Sequence, residues 1–482
     1  MSETARTGRS TLSEALTGAL PGAVAGLVGG LVFGVIMALI GFLPTVAAIV
    51  RTDSIPLAFA VHMLFAAIIG AGFGLLVVRQ RAQASELLFW GLVYGASWWF
   101  LGPLTLLPIL LGRPVTWDLA DGRNLLPSLI GHLVYGTVTA AAFAFLRRSK
   151  TSGARRLRVA SVARGLVAGV LTSAVLVVGL RVMAGEATNG LLVSGLLLGT
   201  GYPLLFGDRP EGTGPALIRG LAYGFAWWIL VSLTIPSLIS DGTLRWSLTD
   251  VRDAVPTLPA DLLLGAGTAA AFTWLGGLTR ALLEDDVRRL HPGSGTFGPG
   301  RLRAAGYGAA SGLAGGLAFA LVLWPSGLLP TVARLAGATT AAPGLLVHLL
   351  IAVAVGISYA IFFRGRSFDL TSGLGWGVSY GFLWWILGAL TLTPVLLGGP
   401  PRWTAADLAA AFPALIGHLA YGAVLGATYQ RLEQRASPWW LTRGQADAER
   451  RTALREQTLG SAPALWTLVL LIALTLPILI TN

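Results

Sequence analysis

The chain has 482 residues, 54% of them hydrophobic and 12% charged, with 63 glycines and a mean hydropathy of +0.72, a balance that excludes an ordinary water-soluble domain. No cysteine is present, which excludes disulfides, iron–sulfur clusters, thiolate zinc sites and covalently attached haem; the single lysine, Lys150, falls in a polar loop, which excludes a retinal Schiff base inside a membrane. A formal net charge of +12 points to nucleic acid only until the positions of the arginines are read.

In chain order, a polar stretch 1–19 with Arg6 and Arg9 precedes apolar windows at 20–43, 57–78, 87–111 and 125–146. Each is close to the ~20 residues a helix needs to cross ~30 Å of hydrocarbon. After a basic linker, 149–164, come windows at 165–184, 190–206, 217–240 and 256–276. A second linker, 281–303, leads to 304–327, 343–363, 373–398 and 411–430, and a third, 433–462, to a last window at 463–480 within the C-terminal segment 463–482. The prediction is an all-α polytopic transmembrane bundle of thirteen helices.

Twenty-six of the 34 basic residues fall in connections on the side of the N-terminus, and 8 on the other. Basic loops stay cytoplasmic, so the N-terminus is expected inside and the C-terminus outside. The positive charge is then a topology signal, with the lipid bilayer as partner and no nucleic acid. Arg147, Arg148, Arg155, Arg156 and Arg158 anchor the most basic loop and could also touch anionic lipid.

Self-comparison divides the chain into three four-helix copies, 20–148, 165–280 and 304–432, the middle one divergent. In the third helix of each, Tyr94, Tyr223 and Tyr380 sit inside G-x-x-Y-G, followed by the pairs Trp98–Trp99, Trp227–Trp228 and Trp384–Trp385 and then by Thr105, Thr234 and Thr391. The next loop repeats Trp117, Trp246 and Trp403, each with an aspartate four residues on: Asp121, Asp250 and Asp407. The fourth helix opens on Pro127, Pro256 and Pro413, and His132, Asp261 or His418 comes five residues later. Copies one and three agree at a constant offset of 286, including His62 with His348; copy two has Leu191 and Asp261 at the histidine positions.

First helices carry small residues four apart: Gly22, Gly26, Gly30 and Gly34; Gly165, Gly169 and Ser173; Gly308, Gly312, Gly316 and Ala320. In lipid, helices associate by close backbone packing on such ridges. Four helices per copy is an even number, so the copies are parallel repeats, related most simply by rotation about the membrane normal. The thirteenth helix lies outside the repeat.

The run H-M-L-F at His62, a Trp-Gly-Leu at Trp90, P-L-x-L-x-P from Pro103 to Pro108, a loop tryptophan, and G-H-L-V-Y from Gly131 ahead of Arg147–Arg148 resemble the bacterial YagU-like inner-membrane proteins. That family is similar to one copy, so the chain looks like a triplication with an added helix. The resemblance implies the bacterial inner membrane and a link to acid tolerance; the family has no established biochemical activity.

The ionisable groups within apolar windows are His62, His132, Asp261, His348 and His418; His291 lies in a linker. Such groups are costly in a membrane and mark function by default. At about 1.5 Å per residue, His62 and His132 share a depth in the outer leaflet, as do His348 and His418, and Gly131, Gly136, Gly417 and Gly422 leave room beside the fourth-helix rings for a backbone or a planar ligand. Three readings are open. The imidazoles bond neighbouring helices and fix packing; or they bind protons on a polar pathway; or they ligate. Ligation takes one of two forms: a b-type haem clamped by His62/His132 and by His348/His418, or a metal held by His132, Asp261 and His418 if the fourth helices meet.

The Trp pairs with Tyr94, Tyr223 and Tyr380 are packing residues or the lining of an aromatic pathway. Trp117, Trp246 and Trp403 fit an outer aromatic belt. Asp121, Asp250 and Asp407 read as caps, or as partners of Arg113, Arg123, Arg245, Arg252 or Arg402 in a gate. No Walker loop, nucleophile elbow, H-E-x-x-H or dinucleotide fingerprint is present, and no enzyme is expected. The leading expectation is a passive or proton-linked transport or acid-tolerance component. The alternatives are a tetrapyrrole- or metal-binding electron-transfer subunit, and a structural or assembly subunit of a larger membrane complex.

Overall fold

The computed structural model describes residues 3–78, 84–115, 118–147, 159–185, 190–207, 212–283, 299–366, 370–435, 469, 472 and 475–480. Among them there is no strand. In hydrocarbon no water is on hand to satisfy a free amide or carbonyl, and helices close those bonds internally.

Twelve long helices carry the fold: α1 Glu3–Leu39, α2 Ile55–Val77, α3 Ala84–Leu101, α4 Leu126–Leu146, α5 Val159–Ala184, α6 Gly190–Phe206, α7 Thr213–Trp227, α8 Leu258–Leu283, α9 Pro299–Leu323, α10 Ala341–Phe363, α11 Leu370–Trp384 and α12 Phe412–Arg435. Ten helices among the described residues are long and apolar enough to cross a membrane. At 17 residues, α6 is shorter, and α12 falls outside the ten, ending in the polar run Gln430 to Arg435. The helices reach past their expected bounds. The expected cytoplasmic segment 1–19 is helical from Glu3; α5 starts at Val159 inside the expected linker 149–164; α8 and α9 shorten the linker 281–303 from both ends. Most of 463–480, the rest of those linkers, Trp117 and His291 lie outside the described residues.

Each copy packs alike: second helix on first, first on fourth, fourth on third. Glycines set the spacing. A Cβ on Gly26 would meet the Ala66 carbonyl and, at 2.7 Å, Gly70 Cα; one on Gly169 would meet Gly195 and, at 2.8 Å, Gly199 Cα; one on Gly312 would meet Ala352 and, at 2.9 Å, Gly356 Cα. The two glycines of G-x-x-Y-G, four apart and so on one face, form the second seam. Gly91, Gly220 and Gly377 face Gly136, Gly265 and Gly422, while Gly95, Gly224 and Gly381 lie against the backbone carbonyls of His132, Asp261 and His418. Helices this close gain dispersion contact and Cα–H···O approaches, the attractions left where the solvent is itself apolar.

The third helices α3, α7 and α11 continue through π-helical stretches, Gly102–Leu106, Trp228–Thr234 and Trp385–Leu392, into short α turns. Thr105, Thr234 and Thr391 each donate their hydroxyl to the carbonyl five residues back, that of Phe100, Ile229 or Ile386, at 2.7 to 2.8 Å. Pro394 cannot donate to the Leu390 carbonyl one turn back. The Arg402 amide, folding over from the loop, supplies that bond at 2.8 Å. The π-helical stretches lie toward the end of the bundle that carries Trp246 and Trp403; the opposite end, where α4 and α8 finish and α5 and α9 begin, is called here the linker face.

Between copies, α3 packs on α6, and α7 on α10 and α11. Val469, Ile472, Leu476, Ile478, Leu479 and Ile480 are all buried. Val469 and Ile472 border a small apolar cavity with Ile218, Leu221, Ala222, Leu262 and Phe382, and Ile478 lies against Gly122. These residues are outside the sequence repeat, but Val469, Ile472 and Ile478 border residues of all three copies.

Candidate functional site

The strongest candidates are the intramembrane ionisable groups. His62 is 8% exposed and His348 7%. Their Nε2 atoms lie 2.8 Å from the Gly30 carbonyl and 2.9 Å from the Gly316 carbonyl, across the seam to the first helix. A carbonyl only accepts, so Nε2 carries the proton and Nδ1 is left as an acceptor. His132 and His418 are arranged the other way round: Nδ1–H donates at 2.7 Å to the carbonyl of Ser128 or Ala414 one turn back. This leaves Nε2 as the acceptor, and in copy one it faces the π-helical stretch, 3.9 Å from where a Cβ on Gly102 would stand.

A single phenyl ring joins each pair. Phe33 stands edge-on to His62 at 5.6 Å and to His132 at 4.9 Å, and Phe319 to His348 at 5.0 Å and to His418 at 4.6 Å between ring centroids. The space expected beside Gly131 and Gly417 belongs to those phenyl rings, which a Cβ at either glycine would strike. A b-type haem clamped between the paired imidazoles does not fit this arrangement, because a phenylalanine occupies the place of the macrocycle. The alternative metal set does not form either. The fourth helices pack within their own copies, and among the described residues no three His, Cys, Asp or Glu side chains gather as a metal requires.

Asp261 is 3% exposed and accepts a 2.5 Å hydrogen bond from Ser232 in the π-helical stretch of α7. Pro103 and Ala389 take the corresponding places in copies one and three, so serine appears where the fourth-helix group is a carboxyl.

The Trp pairs divide as a 100° step predicts. Trp99, Trp228 and Trp385 are buried, and each indole N–H donates to the carbonyl 26 residues on, at Leu125, Ala254 or Ala411, at 2.9 to 3.1 Å. Those carbonyls lie one to four residues ahead of the fourth helix, so the tryptophan ties the third helix to the entry of the fourth. Trp98 and Trp384 lie against Tyr94 and Tyr380 at 6.2 Å; Trp227 is half-buried. The loop tryptophans are more than a belt. Trp246 is buried, and its N–H, like that of Trp403, donates at 3.1 Å to the π-stretch threonine, Thr234 or Thr391. Asp250 and Asp407 close capping boxes with Ser247 and Thr404, and the Asp121 amide donates to Asp118.

Sequence reading overlooked a column of rings in the linker-side half. Tyr94 meets Phe73, which meets Phe143; Tyr223 meets Tyr202, which meets Phe272; Tyr380 meets Tyr359, which meets Tyr429; centroids lie 5.2 to 6.0 Å apart. The signal was there: positions 73, 202 and 359, and 143, 272 and 429, follow the same offsets as the tyrosines and are aromatic every time. No family model, curated protein or solved structure matches the chain.

Proposed function

We propose that this multi-pass membrane protein is a proton-linked transport or acid-tolerance component, with His62, His132, His348, His418 and Asp261 as its titrating groups. In this reading the chain is a YagU-like unit written three times, three parallel four-helix units about an axis along the membrane normal with a C-terminal helix added. It resides in a bacterial inner membrane with the N-terminus inside, as the arginine asymmetry favours. One observation carries the reading: each of four imidazoles, two buried and two half-buried, commits one nitrogen to a backbone carbonyl and keeps the other as an acceptor, in pairs joined through Phe33 and Phe319. Imidazole exchanges protons in the physiological range, so such pairs facing an acidic exterior suit proton uptake.

The test is proton entry into proteoliposomes under an imposed pH step. Replacing His132 and His418 together with Ala should lower it by at least about tenfold, the scale lost with a positioned proton-transfer group; wild-type flux in the double variant would sink the reading. The His62–Gly30 and His348–Gly316 bonds also support a structural or assembly subunit, since they pin second helices to first. That reading expects His62→Ala and His348→Ala to lower thermal stability while flux stays absent in wild type and variants alike.

A further inference from the structure

Resting on the proton reading above, we infer that Phe33 and Phe319 are the barrier residues of the two imidazole pairs: each ring closes the step between the half-buried imidazole of the fourth helix and the buried one of the second, and has to swing aside for a proton to pass.

The helix arrangement puts the ring in the way. In copies one and three the first helix packs along both the second and the fourth, and these two scarcely meet each other. Where α1 passes between His62 and His132 it presents Phe33, and where α9 passes between His348 and His418 it presents Phe319. The two rings are only 5% and 6% exposed, and each lies with its edge against the fourth-helix backbone, at Gly131 or Gly417. One turn toward the linker face, Tyr135 reaches from α4 to the Ala66 carbonyl at 2.7 Å, and Tyr421 from α12 to the Ala352 carbonyl at 2.8 Å. There the gap between second and fourth helices is spanned by a hydroxyl whose proton is already given to the backbone.

A proton moves between two nitrogens only along a hydrogen bond, with heavy atoms about 2.6–3.2 Å apart, or through one water. Neither connection is made in these pairs. His62 and His132 bond the Gly30 and Ser128 carbonyls, His348 and His418 bond those of Gly316 and Ala414, and no hydrogen bond among the described residues runs from one imidazole of a pair to the other. Between them stands a phenyl ring, which has no lone pair to receive a proton. With the ring aside the transfer balances through water: one imidazolium releases a proton to a water and returns to its neutral form, and that water passes a proton to the acceptor nitrogen of the second imidazole. The place is then flanked by two polar rings, the setting a buried water needs.

Copy two shows what packing alone accepts. Leu176 stands in the place of Phe33, and Leu191 and Asp261 in the places of the imidazoles. Ala260 replaces Gly131, and Leu264 replaces Tyr135. Where the imidazoles are gone the ring goes too, and the glycine that admits its edge gives way to a residue with a Cβ. Aliphatic side chains close that bundle, so the seam itself does not call for a phenyl ring.

The full chain in liposomes, with a pH-sensitive dye inside and an imposed pH step, tests this. A structural role for the rings predicts lost flux when they are cut back; a barrier predicts gained flux. Phe33→Ala with Phe319→Ala should raise proton flux by at least about tenfold over wild type. Phe33→Leu with Phe319→Leu, which keeps the place filled as copy two does, should leave flux within about threefold of wild type. Adding His132→Ala and His418→Ala to the alanine pair should abolish the gain. Unchanged or lower flux in the alanine pair, with flux still lost in His132→Ala/His418→Ala alone, would overturn the barrier while leaving the imidazoles in place. A gain that survives loss of those imidazoles would be a hole rather than an opened step, and would overturn it as well. So would a leucine pair that conducts like the alanine pair. Flux no greater than that of empty liposomes in wild type and variants alike would remove the proton reading and the barrier with it. Should the alanine pair fail to fold by thermal unfolding, Phe319→Ala alone, with copy one intact, carries the same expectation of raised flux and is overturned by the same results.

Discussion

Toward the Trp loops, copies one and three are nearly superimposable in chemistry: the same imidazoles, the same intervening phenylalanine, the same indole tie to the fourth helix, all at an offset of 286. Toward the linkers they part, Phe73 and Phe143 against Tyr359 and Tyr429, Gly72 against Ser358, Arg147 against Glu433. Glycine seams of the same spacing run through both halves, so shared packing tolerates different chemistry wherever a polar atom can be added to a ring without changing its outline.

The comparison can be broken hardest at the ring between the imidazoles. Gly417→Val and Gly131→Val would drive a side chain into Phe319 or Phe33, and each should cost ~1–3 kcal/mol or more of stability by overpacking. Thermal unfolding of the purified protein should register similar losses at the two sites; a loss at one site alone would show that the matched halves are not energetically matched. Next come the indole ties. Trp99→Phe and Trp385→Phe each remove an N–H from a carbonyl just ahead of the fourth helix, for about 1–3 kcal/mol. The smallest effect sharpens the contrast in the other half. Tyr94→Phe removes the hydroxyl bonded to Ile69, whereas Tyr380→Phe leaves Ser358 still donating to Val355, so the first should cost ~1 kcal/mol and the second less. Equal losses would mean that Ser358 does not buffer its tyrosine.

Much of this was legible beforehand because lipid imposes simple rules. Hydropathy located the helices, and internal repetition singled out Tyr94, the Trp pairs and the fourth-helix histidines without any other chain for comparison. What stayed hidden was direction. A glycine beside a histidine reads equally as room for a ligand or for a phenyl ring, and only packing shows Phe33 at Gly131. Loop tryptophans read as a belt because nothing in the spacing of Trp246 and Thr234 says that the loop folds back onto a π-helical turn. The ring columns were missed because their members alternate between Phe and Tyr, so a search for identical residues passes over them.

The last described residues have a bearing on how the bundle would respond to trimming. Leu476, Ile478, Leu479 and Ile480 point in several directions around one helical stretch, and all are covered. Val469 and Ile472 border the same small cavity as Ile218, Leu221, Leu262 and Phe382, and Ile478 lies against Gly122. A chain cut short before residue 469 would lay bare apolar surface that belongs to each of the three copies.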